Sequence, residues 1–326
     1  MRWIMKRSAV YTMTLVIAAS AAVIVGCASQ REEPPANLVP HDLAEIRRVR
    51  AASQQHGTIG RAAQRTAHPV VAVVLGGGGL RGFAHVGVLR ALEELGVRAD
   101  IIVGTSAGAV VGAAYASGLT PDQIESAARD IKVSSLIDFT VSTKGLMRGD
   151  HLAEWMDDVT SGVPVEHFPR RFAAVATDLE SGQAVLLDAG SAGRVVQASA
   201  AVPGINVPVS YDGGHLIDGG ATSLVPVHFA RAMGADIVIA VDIYCRSPRP
   251  GGTGATTVIG NVMRTQSCLL AESEVAQADL LIAPEIVVPS MSSKEAQALV
   301  IRAGYEAAYA VMDDCRHAAK RLAVCR

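Results

Sequence analysis

Four consecutive glycines, Gly76–Gly79, follow the β-branched run VVAVVL at residues 70–75 and precede a segment of helical periodicity. A glycine-rich loop after a strand brings several backbone N–H groups together, because no Cβ atoms hold them apart. Such groups can bind the phosphates of a nucleotide, or they can stabilise the oxyanion formed during acyl transfer. The residues around the loop decide between these two chemistries.

A nucleotide site is the first alternative, because residues 77–82 match the G-x-G-x-x-G pattern of dinucleotide-binding loops. That pattern also requires an acidic residue at the end of the next strand, where it binds the ribose. Asp100 stands at the beginning of the next predicted strand instead, and no G-K-[ST] sequence follows the glycines. The sequence therefore disfavours nucleotide binding.

An acyl-transfer serine is the second alternative, and it lies in the pentapeptide GTSAG at residues 104–108. Ser106 stands between a β-branched strand and a helix of small residues, where a sharp turn exposes the hydroxyl of a nucleophile. Gly104 and Gly108 leave room for the strained backbone of this turn. Because consecutive parallel strands are usually neighbours, we expect the glycine loop to lie beside Ser106 and to supply N–H groups to the oxyanion.

A serine nucleophile needs a proton acceptor, and the sequence offers an aspartate rather than a histidine. Of the nine histidines, only His215, His228 and His317 lie well downstream of Ser106, and we expect none of them to be presented to it. Asp218 ends a short predicted strand, and Gly219 and Gly220 follow it. These glycines allow the carboxylate to approach another loop closely. His85, one helical turn after the glycine loop, is interpreted as a packing or capping residue.

Four sequence blocks occur in the order found in patatin-like phospholipases, and the chain resembles the bacterial branch of that family. The blocks are GGGGLRG, GTSAG, ASAAVPG at residues 198–204 and DGG at residues 218–220. The resemblance implies a Ser106–Asp218 dyad without histidine and an acyl-enzyme intermediate. It also implies an oxyanion hole formed by Gly77, Gly78, Gly79 and Arg81. Ser199 and Pro203 would belong to a supporting loop.

The implied activity is hydrolysis of carboxylic esters of phospholipids or lysophospholipids, without a metal or cofactor. Many relatives carry an asparagine shortly after DGG, where this chain reads Ala221-Thr222-Ser223, so the fine positioning of the site is expected to differ. A catalytically silent lipoprotein that binds lipid or a partner protein is the rival interpretation, and the intact GTSAG and DGG disfavour it. The sequence leaves the acyl chain, the head group, protein partners and the oligomeric state open.

Strands alternate with helices after residue 70, which predicts a mainly parallel sheet covered on both faces. This is the three-layer α/β/α sandwich that the family resemblance also implies. Predicted strands occupy residues 70–75, 99–104, 172–179, 183–188 and 235–244. A helix is predicted over residues 107–118, a closing helix or a helix pair over residues 292–322, and a hairpin turn at residues 212–214.

Apolar residues recur at helical spacing between the elbow helix and the next strand, at Leu152, Trp155, Met156 and Val159. This pattern indicates ordinary packing against the core or, alternatively, an apolar wall for an acyl chain. Phe139 and Leu146, earlier in the same segment, belong to the same two alternatives.

A secretory signal is predicted over residues 1–26, because Arg2, Lys6 and Arg7 precede an apolar run. Its last residues with Cys27 resemble the lipobox of bacterial lipoproteins, which implies lipidation of Cys27 and attachment to a membrane. An uncleaved membrane anchor is the alternative. Residues 27–68 are interpreted as the lipidated N-terminus and a linker, in which residues 41–55 could form a short helix although they lack a continuous apolar face. Residues 69–326 are interpreted as the phospholipase domain. The predicted location is the bacterial cell envelope, at the outer membrane facing the periplasm.

Charge and cysteine content exclude other classes. The net charge is −2 and the basic residues are scattered, which predicts no nucleic-acid partner. Cys245, Cys268, Cys315 and Cys325 contain no C-x-x-C pair, which disfavours zinc. Disulfides are expected in an oxidising compartment, although a Cys315–Cys325 bond would require the helix to end first, and the pairing stays open.

Overall fold

A computed structural model describes residues 35–56, 68–130, 133–136, 138–140, 142–249, 251–287, 293–317 and 324. The chain divides into two compact units, residues 1–35 and residues 36–326. The predicted signal sequence and Cys27 lie outside the described residues. Among the described ranges, no helix is both long enough and apolar enough to span a bilayer.

The described residues form nine strands and nine α-helices. The strands are β1 His41–Asp42, β2 Val71–Leu75, β3 Ile101–Thr105, β4 Arg171–Asp178, β5 Ala184–Leu187, β6 Val209–Tyr211, β7 Gly214–Asp218, β8 Ile237–Val241 and β9 Leu280–Ile282. The helices are α1 Leu43–His56, α2 Phe83–Glu94, α3 Ala107–Ala116, α4 Pro121–Asp130, α5 Asp150–Val159, α6 Ala192–Ser199, α7 Val227–Met233, α8 Ala255–Val275 and α9 Lys294–His317.

One sheet contains all nine strands. Its main order is β1-β5-β4-β3-β2-β8-β9, and β7 pairs with both β4 and β6. The central pairs, β4–β3, β3–β2, β2–β8 and β8–β9, are parallel, whereas β5, β6 and β7 pair in the antiparallel sense. Asp212 and Gly213 form the predicted turn between β6 and β7, since Tyr211 pairs with Gly214.

Helices cover both faces of the sheet, because side chains along each strand alternate between two cores. In β2, Val71, Val73 and Leu75 pack with α2, α3, α6 and α9, while Ala72 and Val74 pack with α1, α7 and α8 on the other face. The three-layer α/β/α sandwich is therefore confirmed.

Residues 36–56 add an edge to this sandwich. β1 pairs antiparallel with β5, and Arg50 of α1 donates from Nη1 to the carbonyl oxygen of Arg231 at 2.6 Å. Leu43 and Ile46 pack against the core. The compact unit therefore begins at Ala36, N-terminal to the predicted boundary at residue 69.

A disulfide joins Cys245, in the segment after β8, to Cys268 of α8, with 5.6 Å between their Cα atoms. Cys315 in α9 is disulfide-bonded as well. Cys325 lies outside the described residues. The bond between Cys245 and Cys268 fixes the start of the long loop before α8 to the helix itself.

Candidate active site

Ser106 forms the sharp turn between β3 and α3. Its backbone angles, φ of 54° and ψ of −119°, lie outside the regions that residues other than glycine usually adopt. A Cβ atom on Gly104 would lie 2.5 Å from the carbonyl carbon of Gly108, and one on Gly108 would lie 1.9 Å from the carbonyl oxygen of Leu75. The turn is thus possible only because the residues two positions before and two positions after Ser106 are both glycine, as a nucleophile elbow requires.

Ser199 holds this strained turn from the end of α6. Its Oγ accepts a hydrogen bond from the backbone N–H of Ser106 at 2.9 Å and donates to the carbonyl oxygen of Val175 at 2.6 Å. Ser199 is fully buried, so these bonds satisfy groups that water does not reach. Ser199 therefore touches the nucleophile turn itself, and Pro203 follows in the loop after α6.

Asp218 is brought to Ser106 by the strand pairing. Strand β4 pairs first with β3, and the last pair joins Val175 to Thr105. From Ala176, the next residue of β4, the partner is β7, and Ala176 lies opposite Asp218. The ends of β3 and β7 therefore meet along one edge of β4. The Ser106 side chain lies close enough to the Asp218 carboxylate to lower its pKa, as does the N–H of Gly220.

Burial makes Asp218 a stronger base than an ordinary aspartate. Only 7% of the residue is exposed, and loss of hydration raises the pKa of its carboxyl to about 6. Hydrogen bonds from Ser106 and from the N–H of Gly220, which lies 2.7 Å from Oδ1, oppose this shift. Gly219 permits the close approach, because a Cβ atom there would lie 2.2 Å from the carbonyl oxygen of Val175.

The glycine loop lies against the nucleophile, but Gly77 has a different role from the predicted one. The N–H of Gly77 donates to the carbonyl oxygen of Leu224 at 3.0 Å. It is therefore not available to an oxyanion, which corrects the prediction for this residue. A Cβ atom on Gly77 would contact the Ser106 Cβ at 3.4 Å, so its role is to keep the space beside Ser106 open.

Gly78 and Gly79 carry the N–H groups that remain available. They begin a 3₁₀ turn over Gly79–Gly82, in which Arg81 N–H donates to the carbonyl oxygen of Gly78 at 3.3 Å. Within the described part of the chain, no protein acceptor takes the N–H of Gly78 or Gly79. The first amides of such a turn have no partner inside it and can bind an anionic oxygen.

The sequence model of patatin-like phospholipases matches residues 73–231, which include the elbow and Asp218. This part of the chain is a patatin-like phospholipase domain. An uncharacterized NTE family protein of Mycobacterium tuberculosis is 36% identical over 178 residues, which are 54% of this chain and 49% of that protein. Patatin-like phospholipase domain-containing protein 7 of Rattus norvegicus is 34% identical over 200 residues, 59% of this chain and 15% of that protein.

The matched region thus spans half or less of these curated relatives. Among solved structures, VipD from Legionella pneumophila superposes with a TM-score of 0.53 at 15% identity, covering 76% of this chain and 67% of that chain. This similarity supports the patatin-like fold.

Arg81 of the patatin-like domain faces an aromatic ring. Its guanidinium carbon lies 5.4 Å from the centre of the Tyr244 ring, and that of the buried Arg264 lies 4.7 Å from the same ring. The Nε of Arg81 is buried and has no hydrogen-bond partner among the described residues. A Cβ atom on Gly78 would lie 2.8 Å from Ile243, so the segment that precedes Cys245 supports the glycine loop from behind.

Side chains that sequence reasoning missed fix the turn after Asp218. Thr177 donates from Oγ1 to the carbonyl oxygen of Asp218 at 3.0 Å and contacts Oγ1 of Thr222 at 2.8 Å. Ser223 donates to the buried Glu274 at 2.6 Å, and burial raises the pKa of that carboxyl. Thr222 and Ser223 thus hold this turn in place, and Glu274 lies too far along the chain for a motif to reveal it.

His85 and Asp100 have structural roles. His85 is fully buried, its Nε2 donates to the carbonyl oxygen of Gly76 at 2.8 Å, and burial lowers its pKa to about 4. It is therefore neutral at pH 7 and supports the start of the glycine loop. Asp100 accepts from the N–H of Val71 at 2.8 Å, at the opposite end of β2 from the glycines. It is not placed to bind a ligand held by that loop.

The apolar face of α5 packs against the core. Met156 is fully buried, and Leu152, Trp155 and Val159 are partly buried against the same cluster. This supports ordinary packing for the helix, whereas Phe139 and Leu146 are exposed. Within the described ranges, no group of three or more His, Cys, Asp and Glu side chains could hold a metal ion.

Proposed function

We propose that the protein is a serine acyl hydrolase that cleaves carboxylic esters of phospholipids or lysophospholipids. The observation that carries this proposal is the contact of Ser106 with the buried Asp218, beside the available N–H groups of Gly78 and Gly79. Family membership supports lipid ester hydrolysis in general. The dyad and the substrate class are our own extension of it.

Acylation uses the raised basicity of Asp218. The carboxylate takes the Ser106 proton as Oγ attacks the ester carbonyl carbon, and the negative charge moves to the carbonyl oxygen. The N–H groups of Gly78 and Gly79 stabilise that oxyanion, and such a donor is worth about 3–4 kcal/mol of the barrier. Collapse of the tetrahedral species breaks the bond to the alkoxy oxygen, which takes the proton from Asp218. The acyl group stays on Ser106.

Deacylation repeats these steps with water. Asp218, again ionised, takes a proton from a water molecule that attacks the acyl carbonyl carbon. The second oxyanion occupies the same position, and its collapse releases the fatty acid while Ser106 regains its proton. One carboxylate therefore serves as base and acid in both halves of the reaction.

The proposed location is the outer membrane of a bacterial envelope, with the domain facing the periplasm and attached through lipidated Cys27. The Cys245–Cys268 disulfide supports an oxidising compartment. The substrate would then reach the site from the bilayer to which the chain is attached.

The test combines active-site labelling with hydrolysis of p-nitrophenyl butyrate and defined phospholipids. We expect a fluorophosphonate to label the wild-type chain at Ser106, and Ser106→Ala and Asp218→Asn to reduce hydrolysis by at least about a thousandfold. Ser161→Ala is the matched control, because Ser161 also has a positive φ of 56°. Labelling that persists in Ser106→Ala would contradict the dyad. A folded wild-type chain that is neither labelled nor active would support the silent lipoprotein.

A further inference from the structure

Helix α8 carries an exposed aliphatic face. Five aliphatic side chains form this face, and each is between 47% and 61% exposed: Val258, Ile259, Val262, Leu269 and Leu270. At about 100° per residue, these five side chains fall within an arc of about 120°. Arg264, Cys268 and Ala271, which contact the protein, lie on the opposite side of the helix. The aliphatic face therefore points away from the core.

The first turns of α8 project from the domain at the end of the molecule that holds the active site. Arg264 bonds the carbonyl oxygens of Tyr244 and Ser247, in the segment that supports the glycine loop. Residues 251–256 and 258–260 are all exposed. Because a helix rises 1.5 Å per residue, the helix start lies about 13 Å beyond Arg264. Val258, Ile259 and Val262 are thus carried outward beside the site.

Few charges lie near this face, and two of them are arginines. Between residues 255 and 271 the only charged side chain is Arg264, which is buried, and the exposed Glu272 follows at the C-terminal end of the face. Arg246 and Arg249 in the preceding loop are exposed, and Arg249 donates to Oγ1 of Thr265 at 2.7 Å, at the border of the face. No carboxylate of the described residues pairs with either arginine. Guanidinium groups beside an aliphatic surface match the phosphates and acyl chains of a lipid leaflet.

We propose that this face of α8 docks onto the surface of a phospholipid bilayer. The aliphatic side chains enter the boundary between head groups and acyl chains, and Arg246 and Arg249 bind lipid phosphates. A second copy of the chain fits this face less well, because a stable protein interface uses about 20 residues on each side. Docking would bring the end of the domain that holds the proposed active site close to the bilayer. Only this consequence for the active site rests on the proposed function, since contact between α8 and lipid needs no catalysis.

The first experiment measures contact independently of both activity and anchoring. The chain has two tryptophans, so Trp3→Phe and Trp155→Phe with Ser106→Ala give an inactive full-length background without tryptophan. Ile259→Trp is compared with Leu299→Trp, at an exposed position on α9, since the two native residues are 60% and 59% exposed. With vesicles of brominated phosphatidylcholine, alone or with phosphatidylglycerol, we expect blue-shifted, quenched emission from position 259 only.

Two outcomes would overturn the proposal. Unquenched emission from position 259 in a vesicle-bound chain means that α8 does not touch the bilayer. Emission that is already blue-shifted without vesicles means that another segment or a second copy covers the face, and gel filtration separates these two cases.

The second experiment tests the consequence for catalysis. Ile259→Glu with Val262→Glu should slow hydrolysis of vesicle phospholipid about tenfold or more, because a buried charge opposes docking. Hydrolysis of soluble p-nitrophenyl butyrate should stay unchanged, and Leu299→Glu should change neither rate. Equal loss on both substrates would contradict the docking role. If the wild-type chain hydrolyses neither substrate, the proposed function fails, and the quenching result still decides the docking.

Discussion

The backbone N–H of Ser106 donates to the hydroxyl of Ser199, 93 residues later in the chain, at 2.9 Å. The same hydroxyl donates to Val175 on the strand that also pairs with Asp218. One side chain therefore links the turn of the nucleophile to the strand that positions the base. This link makes Ser199 a positioning residue whose effect on the chemistry can be separated from its effect on stability.

Ser199→Ala should lower kcat by about tenfold to a hundredfold with little change in KM, because a small misplacement of the nucleophile is costly. Two buried groups lose their partner, which should also cost about 1–3 kcal/mol of the free energy of unfolding. Fluorophosphonate labelling rates and urea unfolding measure the two effects. Ser191→Ala removes the N-cap of the same helix, and it should destabilise without slowing the labelling. Equal labelling rates in both variants would mean that Ser199 acts on stability alone.

The pH dependence of hydrolysis should follow Asp218. The carboxylate must be ionised to take the Ser106 proton, and burial raises its pKa to about 6. We therefore expect kcat/KM for a soluble ester to rise with pH and to level off above a midpoint near pH 6. His85 is not expected to contribute this midpoint, because its pKa is lowered to about 4 and it bonds Gly76. A rate that is constant from pH 4 to pH 8 would contradict Asp218 as the base.

Asp218→Asn should stabilise the fold while it removes activity. The carboxyl pKa is about 6 when folded and about 4 when unfolded, so the folded state holds a proton that the unfolded state releases. Between about pH 4 and pH 6 the free energy of unfolding of the wild-type chain should fall by about 2–3 kcal/mol from this residue, and it should stay low above pH 6.

The asparagine variant has no such titration, so the comparison is between two stability curves. We expect its free energy of unfolding to exceed that of the wild-type chain at pH 8 and to approach it at pH 4. Urea unfolding at both pH values measures the difference. If the variant is less stable than the wild-type chain at pH 8, the ionised Asp218 carboxylate does not destabilise the folded state.

Loss of the Cys245–Cys268 disulfide should affect the site as well as stability. The bond closes a loop with a sequence separation of 23 residues, which is worth about 3 kcal/mol. Ile243 and Tyr244, directly before Cys245, contact Gly78 and Arg81. Replacing both cysteines by serine should therefore lower the Tm and also slow fluorophosphonate labelling. Cys315→Ser, in a helix on the other face of the sheet, is the control variant. It should lower the Tm without slowing fluorophosphonate labelling.

Local motifs carried most of the prediction of the site. The elbow at Ser106 was predictable because Gly104 and Gly108 are required by backbone contacts within one turn and the adjacent strand. Asp218 was recognisable from the two glycines after it. The alternation of strands and helices predicted the parallel strands β4, β3, β2, β8 and β9. The sheet is mixed rather than mainly parallel, because β1, β5, β6 and β7 form four antiparallel pairs.

Other features depend on partners that only the folded chain brings together. The Gly77 N–H is used by Leu224, and no local pattern distinguishes it from the N–H of Gly78. Glu274 reaches Ser223 from a helix 51 residues away. Residues 36–56 looked like a linker, because an edge strand of two residues has no recognisable periodicity.

That short strand has a practical consequence for preparing the protein. β1 covers part of the outer edge of β5, through the pairs of His41 with Leu186 and Asp42 with Val185. A truncated chain that starts at residue 69 would expose those backbone groups to strands of other molecules, which is a common origin of aggregation. We therefore expect soluble, monodisperse material only from versions that retain Ala36 and everything after it.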